Sequence, residues 1–303
     1  MYLYLKDGLG NQMFMYAFCR ALQLNRFPKE KIIINNKLFK QKATTPRDFE
    51  LDCFKLNNSV KVANFFERIY SDFLYFFKKK IQFRNADVFN KDVIQKAFAK
   101  NLILQYPVFD FYDISSIKKG PKLVRGFFQN PKYFDGIKNT LISDFEVKHE
   151  PSKENKEMLQ KIKSAENSVC LHVRRGDYVE SERWSKELLV CDKNYYEQAV
   201  LEMKSRIENP TFFVFSNTSK DLEWIKNNYN FDGDFVYVNL NNPSFEELRL
   251  MYNCSHFIIS NSSFSWWAQY LGQSESKTVI APKKWSNSHE GTSGIYMNEW
   301  ILI

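Results

Sequence analysis

Residues 168–178 read Ser-Val-Cys-Leu-His-Val-Arg-Arg-Gly-Asp-Tyr, an apolar run that ends in two arginines, a glycine and an aspartate. The apolar run predicts a buried strand. Because side chains alternate along a strand, His172 and Arg174 should share one face while Arg175 points to the other. In open α/β sheets, ligands bind beyond the carboxyl ends of the strands, so this strand end predicts an anion site.

The arginine pair has two interpretations. A guanidinium presents a planar fork of donors that suits phosphate, which favours a site for a nucleotide diphosphate. The alternative is a structural salt bridge between an arginine and Asp177 that caps the strand. The spacing alone does not decide between them.

Apolar strands alternate with helical patterns throughout the second half of the chain. The strands are predicted at 168–174, 211–215, 235–239, 256–259 and 277–281. This alternation is typical of a parallel, doubly wound sheet with helices on both faces. We therefore expect a Rossmann-type domain.

The first half begins in the same manner, with a strand at 2–5, a glycine loop and a helix at 12–24. Further strands are predicted at 31–34, 102–104 and 122–128, and a helix at 131–145. A polar stretch at 148–157 then separates the two halves. We expect two α/β domains, 1–150 and 151–303.

A strongly aromatic helical pattern covers residues 60–80. We interpret it as core or inter-domain packing. The three lysines at 78–80, where this pattern ends, indicate a solvated helix end, with weak contact to a membrane surface as the alternative.

Composition narrows the class of protein. The chain has 303 residues and a formal net charge of +8, which suits an anionic substrate, nucleic acid or an acidic membrane surface. Nucleic acid is the weakest of these, because no arginine-rich helical face or aromatic–basic repeat is present. The five cysteines form no C-x-x-C pair, so the sequence indicates neither zinc nor a redox motif.

No run reaches the ~20 apolar residues of a membrane span, and the first residues do not resemble a secretory signal. We expect a cytoplasmic protein with reduced thiols. Peripheral association with the inner face of a membrane stays open.

Two more predicted strand ends carry polar motifs, Phe-Ser-Asn-Thr at 215–218 and Ser-Asn-Ser-Ser-Phe-Ser-Trp-Trp at 260–267. In a parallel sheet these ends would meet the first motif at one edge. Short hydroxyls before a helix can join its backbone N–H groups in binding phosphate. Ordinary N-capping by Ser262 or Ser263 is the alternative, and the tryptophans are expected in the core.

Two other short patterns carry weaker signals. Gly-Leu-Gly-Asn-Gln at 8–12 lacks the full dinucleotide-binding spacing, and it can be a simple tight turn. Asp-Gly-Asp at 232–234 has the form of a metal-binding D-x-D, but Asp-Gly is also a good turn signal. We expect a turn there and no metal.

Four motifs taken together resemble the inverting α-1,2-fucosyltransferase family. They are Gly-Leu-Gly-Asn-Gln-Met-Phe at 8–14, His-Val-Arg-Arg-Gly-Asp at 172–177, Phe-Ser at 215–216 and the serine–tryptophan motif at 260–267. The arginine pair is shared with fucosyltransferases of other linkages, whereas the combination is more specific.

The resemblance implies a GT-B-like fold, in which two Rossmann-type domains face a cleft. It implies transfer of L-fucose from GDP-β-L-fucose to the 2-hydroxyl of a terminal galactose, with inversion and without metal or cofactor. The C-terminal domain would bind GDP-fucose, and the N-terminal domain would bind the β-galactoside glycan acceptor. A bacterial-type enzyme of surface-glycan synthesis is expected.

The resemblance also suggests roles for single residues. Arg174 would hold the β-phosphate with help from Ser262 and Ser263, and Asp177 would be a catalytic base or a structural brace. The acid that the family has after Phe-Ser is absent, so Asn217 or Asp221 would contact the guanine. The remaining substrate-binding candidates are Gly8, Gly10, Asn11, Gln12, His172, Arg175, Ser216, Asn261 and Phe264.

Two rival functions remain. One is a GDP-sugar transferase that makes another linkage or uses another sugar. The other is a nucleotide-binding module without turnover, which would bind GDP yet release none from GDP-fucose.

Overall fold

The computed structural model describes residues 1–40, 47–82, 91–105, 109–288 and 294–303, and a few side chains within them, including that of Asp177, are not described. The chain forms two compact units, Met1–Glu146 and Val147–Ile303. Each unit is built on a parallel sheet that is flanked by helices. The expected fold class, α/β with two Rossmann-type units, is confirmed at the level of each unit.

The first unit has five parallel strands in the order β3-β2-β1-β5-β4. The strands are β1 (Tyr2–Tyr4), β2 (Ile32–Asn35), β3 (Val60–Val62), β4 (Leu102–Leu104) and β5 (Leu123–Arg125). The helices are α1 (Leu9–Arg26), α2 (Phe65–Gln82), α3 (Lys91–Phe98) and α4 (Lys138–Asp144). The helix predicted from 131 was placed too early, because two short 3-10 turns precede α4.

The second unit has six parallel strands in the order β11-β10-β9-β6-β7-β8. The strands are β6 (Asn167–Val173), β7 (Pro210–Ser216), β8 (Asp234–Tyr237), β9 (His256–Ile258), β10 (Val279–Ala281) and β11 (Ile301–Leu302). The helices are α5 (Lys153–Ser164), α6 (Asp177–Glu180), α7 (Glu182–Leu188), α8 (Lys193–Arg206), α9 (Ser219–Asn228), α10 (Ser244–Tyr252) and α11 (Ser263–Leu271). All five predicted strands are present, and the two tryptophans of α11 are fully buried, as expected.

The aromatic helix α2 differs most from its prediction. Its phenylalanine side chains lie on the surface, so the interpretation of this pattern as core packing is wrong. In the part of the chain that the structure describes, no helix is both long enough and apolar enough to cross a membrane.

Gly126, directly after β5, has no room for a side chain. A Cβ atom there would lie 2.8 Å from the Cβ of Gln105 and 2.9 Å from its backbone nitrogen. We expect Gly126→Ala to lower the free energy of unfolding by about 1–3 kcal/mol, because the neighbouring backbone has to move. Urea denaturation would measure the loss. Gly136→Ala is the matched control, since nothing lies within 4 Å of its Cβ position. Equal effects in the two variants would contradict the steric argument.

Candidate active site

The three polar motifs of the second unit follow adjacent strands. β6 lies between β7 and β9, with Val173 opposite Ser216 and Leu171 opposite Ile258. Because all three strands are parallel, their carboxyl ends lie side by side. The predicted convergence of the three motifs at one sheet edge is therefore confirmed.

The faces of β6 follow the predicted alternation. Leu171 and Val173 pack into the core formed with α8. His172, on the other face, is buried, and its Nδ1 lies 2.9 Å from the hydroxyl of Ser260. That hydroxyl lies 3.4 Å from the hydroxyl of Ser265, so a chain of polar contacts links the first motif to the start of α11.

Tyr178 connects Arg174 to the serine motif. The guanidinium of Arg174 lies 5.1 Å from the centre of the Tyr178 ring. The Tyr178 hydroxyl donates a hydrogen bond of 3.2 Å to the carbonyl oxygen of Asn261, the residue before Ser262. The arginine and the start of α11 are thus separated by one aromatic ring. The sequence alone did not indicate a role for Tyr178. Its position three residues after Arg175 was the one feature that could have suggested it.

The two serines at the start of α11 have different surroundings. The Ser262 hydroxyl accepts a hydrogen bond of 3.3 Å from the backbone N–H of Phe264, so this residue is the N-cap of the helix. Ser263 is the first helical residue and is half-buried. The Phe264 ring lies 6.0 Å from the His172 ring. Ser263 is therefore the better placed of the two hydroxyls for a ligand at the helix N-terminus.

Arg175 points away from Arg174, toward α9. Its Nε lies 3.4 Å from Asp221, and its guanidinium stacks 3.3 Å from the centre of the Trp224 ring. Its backbone N–H donates to the side-chain oxygen of Asn217. Asp221 is thus the acidic partner of Arg175 among the described residues, and Tyr229 also forms a side-chain hydrogen bond with it. The side chain of Asp177 lies outside the described residues. Asp221 also holds the Thr218 cap of α9, so it is engaged within the fold.

Gly176 explains the glycine in the first motif. Its φ is +42°, and a Cβ atom there would lie 3.1 Å from the Cγ of Asn217. Glycine therefore allows the chain to turn sharply after Arg175 while Asn217 packs against the turn.

Two other predicted contact residues use their polar groups inside the second unit. The Asn261 amide donates to the carbonyl oxygens of Leu188 and Trp285, at 2.8 and 3.0 Å. The Ser216 hydroxyl donates to the carbonyl oxygen of Val173 at 2.8 Å. These side chains shape the site by holding its loops.

The glycine motif of the first unit is helical rather than a loop. Gly8 is the N-cap of α1, and Gly10, Asn11 and Gln12 lie in its first turn. The side chain of Gln12 is fully buried and donates to the carbonyl oxygens of Asp7 and Asp48. Its oxygen accepts the N–H of Glu50. Gln12 is thus a structural brace in this structure and does not face solvent, contrary to the predicted substrate contact.

Asn11 lies at the partly exposed end of the same helical turn. Its side-chain oxygen accepts a hydrogen bond of 2.6 Å from the amide of Gln129, which belongs to the segment after β5. Of the residues in this turn, Asn11 stays available as a substrate-binding candidate.

The Asp-Gly-Asp pattern is a turn, as expected. Asp232 is almost fully exposed and pairs with Lys204 at 3.1 Å, and Asp234 begins β8. The pattern therefore lies at the amino end of a strand, on the opposite sheet edge from the three motifs. Within the described residues, no three histidine, cysteine or acidic side chains cluster as metal ligands do.

Comparison with known proteins places this site in a family. The sequence matches the profile of Glycosyl transferase family 11 along residues 1–303. The chain belongs to glycosyl transferase family 11. This result confirms the resemblance drawn from the four motifs and makes the chain a glycosyltransferase.

Bacterial and mammalian proteins are similar to this family 11 chain. An alpha-1,2-colitosyltransferase of Escherichia coli is 30% identical over 94% of this chain and 92% of its own. The O-antigen biosynthesis glycosyltransferase WbnK of Escherichia coli is 25% identical over 100% of both chains. Galactoside alpha-(1,2)-fucosyltransferase 2 of Sus scrofa is 26% identical over 47% of this chain and 43% of its own.

Glu247 is a site candidate of this family 11 chain that sequence reasoning missed. It lies in the first turn of α10, and burial raises the pKa of its carboxyl group to about 7. Its charge acts on Cys170, which shares a strand face with His172. Glu246 beside it pairs with Arg249 at 3.4 Å, whereas the Glu247 carboxylate makes no hydrogen bond or ion pair with the described residues. An acidic pair with one nearby basic partner was the sequence signal.

The burial of His172 makes stability depend on pH. Burial and the charge of Arg174 lower its pKa from 6.5 to about 3, so the folded imidazole stays neutral while the unfolded one gains a proton below pH 6.5. The resulting contribution to stability is complete above pH 6.5 and is lost as the pH falls. We expect a loss of about 2 kcal/mol at pH 5 that His172→Gln removes.

Urea denaturation at pH 7 and pH 5 measures this loss, as the difference between the wild type and the variant. The exposed His149 supplies the control, since His149→Gln should keep the wild-type drop. A His172→Gln protein that loses as much stability as the wild type would contradict the assignment.

Proposed function

We propose that this chain transfers L-fucose from GDP-β-L-fucose to the 2-hydroxyl of a terminal galactose of a glycan, with inversion at the anomeric carbon. The observation that carries the proposal is the link from Arg174 through Tyr178 to the start of α11, at the carboxyl edge of β6. The pig relative is named as a galactoside α-(1,2)-fucosyltransferase, which supports the sugar and the linkage.

The first task of the site is to stabilise the leaving group. The acceptor oxygen bonds to the anomeric carbon while the bond from that carbon to the β-phosphate oxygen breaks, and its electron pair stays on the phosphate. Arg174 meets this growing negative charge with its guanidinium, and the N-terminus of α11 adds backbone N–H groups and the Ser263 hydroxyl. We propose that these groups act without a metal.

A second task is to hold the nucleoside. Guanine presents N1–H and an amino group as adjacent donors, and a carboxylate accepts both. The family's usual acid after Phe-Ser is replaced by Asn217, and Asp221 is engaged with Arg175. Glu247 is half-buried, and its carboxyl group lies near Cys170, on the sheet face that carries His172. We infer that it accepts the guanine donors.

Glu247→Gln tests this part of the proposal. We expect it to raise the KM for GDP-fucose, because an amide offers one acceptor where the carboxylate offers two. Glu223→Gln, on the exposed face of α9, is the control. Unchanged affinity for GDP in a folded Glu247→Gln protein would remove Glu247 from the site.

The acceptor hydroxyl must also lose a proton. Asp177 is the carboxylate of the first motif, and it is proposed as the base, with a brace of the arginine loop as the alternative. If Asp177 is the base, the Asp177→Asn enzyme should lack the acidic limb of the pH–rate profile, because no carboxylate is left to be protonated at low pH. A brace would lower activity and leave the shape of the profile unchanged.

GDP-colitose is the second candidate donor. The observation that favours it is the α-1,2-colitosyltransferase, which is 30% identical over 94% of this chain. Colitose is fucose without the 3-hydroxyl, so the same phosphate site serves both donors. A site that binds the 3-hydroxyl should reject colitose, since its polar partners would be left unpaired.

One experiment separates these functions. The protein is incubated with GDP-fucose, GDP-colitose or GDP-mannose and an array of β-galactosides, with and without EDTA, and the products are analysed for linkage by mass spectrometry. The proposal expects an α-1,2-fucosylated galactoside and the same rate in EDTA. A product of another linkage would favour the first rival, and GDP binding without GDP release would favour a module without turnover.

A further inference from the structure

Helix α2 exposes a continuous aromatic face. Seven large apolar side chains along it are between 44% and 78% exposed. They are Phe65, Phe66, Ile69, Tyr70, Phe73, Phe76 and Phe77. Their spacing of three to four residues puts them on one side of the helix.

The opposite, polar side of α2 faces the first unit. The Ser71 hydroxyl accepts from the Asn35 amide at 3.0 Å, and Asp72 accepts from the Tyr4 hydroxyl at 3.0 Å. The Lys78 ammonium donates to a backbone carbonyl at 2.7 Å. One leucine and one tyrosine of α2 also pack on the core of this unit. The packed side therefore mixes polar and apolar groups, while all the phenylalanine side chains of the helix lie outward, unlike the usual amphipathic surface helix.

An outward face of this kind marks an interaction surface. Soluble monomers rarely expose contiguous apolar patches beyond a few hundred Å², and each aromatic side chain can bury about 150–250 Å². Six aromatic side chains and one isoleucine on one face exceed what the scattered surface hydrophobics of a globular protein account for. A partner that covers them must be apolar over the full length of the helix, about 27 Å.

The C-terminal end of α2 is surrounded by positive charge. The Lys78 ammonium donates to the carbonyl oxygens of Lys100 and Pro121, so Lys78, the exposed Lys79 and the exposed Lys100 lie in the same region. Burial lowers the pKa of Lys78, and the nearby charge of Lys122 lowers it further. The acidic groups of the helix, Glu67 and Asp72, are each paired with a lysine.

We propose that α2 binds the surface of a membrane that contains anionic lipids. The aromatic side chains would enter the boundary between headgroups and acyl chains, and the lysines would contact the headgroups. Aromatic residues on one face and lysines beside them are the features of helices that lie in the membrane interface. The proposal does not depend on the identity of the donor or the acceptor.

A second copy of the chain is the less favoured occupant of this face. The net charge is +8, and the lysines lie beside the apolar surface, so two copies would repel each other at low ionic strength. The same charge attracts an anionic lipid surface.

Vesicle co-sedimentation of the full chain tests the proposal. We expect binding to vesicles of phosphatidylglycerol and phosphatidylethanolamine, weaker binding to phosphatidylcholine, and loss of binding in high salt. Phe73→Ser should weaken binding by about tenfold and Phe66→Ser/Phe73→Ser by about a hundredfold, because apolar area leaves the interface.

The control is Leu201→Ser, since Leu201 on α8 is 59% exposed and Phe73 is 63% exposed. This control should bind vesicles like the wild type, and all variants should keep wild-type transfer to a soluble acceptor. Wild-type protein that does not bind anionic vesicles would overturn the proposal, and so would binding that survives Phe66→Ser/Phe73→Ser. A dimer in sedimentation velocity that dissociates in this variant, without vesicle binding, would assign the face to a second copy.

Discussion

Arg174→Ala is expected to lower the rate of sugar transfer by about 100- to 1000-fold, because one donor to a developing charge is typically worth that much. The guanidinium follows β6 and lies over the Tyr178 ring, whose hydroxyl contacts Asn261 just before the start of α11. In this position it can meet the β-phosphate as the bond between the anomeric carbon and the phosphate oxygen breaks. The measurement is kcat and KM for GDP-fucose in a protein whose folding is verified by thermal denaturation.

The neighbouring arginine supplies the control. Arg175 pairs with Asp221 and stacks on Trp224. Compared with Arg174→Ala, the Arg175→Ala variant should therefore lose more stability and less of the transfer rate of the folded protein. Arg174→Lys keeps the charge without the planar fork, and we expect an activity between those of the wild type and Arg174→Ala. A folded Arg174→Ala protein with near-normal turnover would refute the assignment, and a loss confined to Arg175→Ala would exchange the two roles.

The sequence predicted the site best where local patterning and topology agree. The strands β6, β7, β9 and β10 are largely buried on both faces, so their apolar runs identify them without an alternation signal. Once the sheet is parallel, the carboxyl ends of β6, β7 and β9 must lie at one edge. The alternation along β6 then places His172 and Val173 on opposite faces, as the structure shows.

Contacts distant in sequence were beyond such reasoning. The partner of Arg175 lies on α9, and Gln12 is held by a segment more than thirty residues away. No local pattern shows which amide will contact backbone carbonyls and which will face a ligand. Whether position 126 accepts a side chain likewise depends on a residue distant in sequence, because Gly126 packs closely against Gln105.

The prediction for the aromatic helix α2 was wrong for a different physical reason. Its apolar residues have helical spacing, and such spacing normally indicates the side that faces the core. Here Ser71 and Asp72 satisfy polar groups of β1 and β2 on the packed side. Leu74 and Tyr75 pack on the core beside them, while the phenylalanines face outward. Periodicity identifies a helix and its two faces, but the partners decide which face is buried.

The second large effect is expected at Asp144, which ends α4. Its carboxylate accepts hydrogen bonds from the Arg20 guanidinium at 2.8 Å and from the Tyr16 hydroxyl at 2.7 Å. Both donors lie on α1, and all three side chains are buried. Asp144→Ala leaves the Arg20 charge buried without its carboxylate, so we expect the free energy of unfolding to fall by about 3–5 kcal/mol. Urea denaturation measures this loss.

Glu146, two residues further on, is the matched control. It also forms an ion pair, in its case with a lysine, but its side chain is 58% exposed. Glu146→Gln should change stability by less than about 1 kcal/mol, since exposed ion pairs contribute little. Arg20→Met/Asp144→Leu should recover much of the loss of Asp144→Ala, because no buried charge is then left unpaired. Equal losses for Asp144→Ala and Glu146→Gln would show that burial is not the cause. In that case the buried pair would not be what fixes α1, and with it the Gly-Leu-Gly-Asn-Gln turn, against the rest of the first unit.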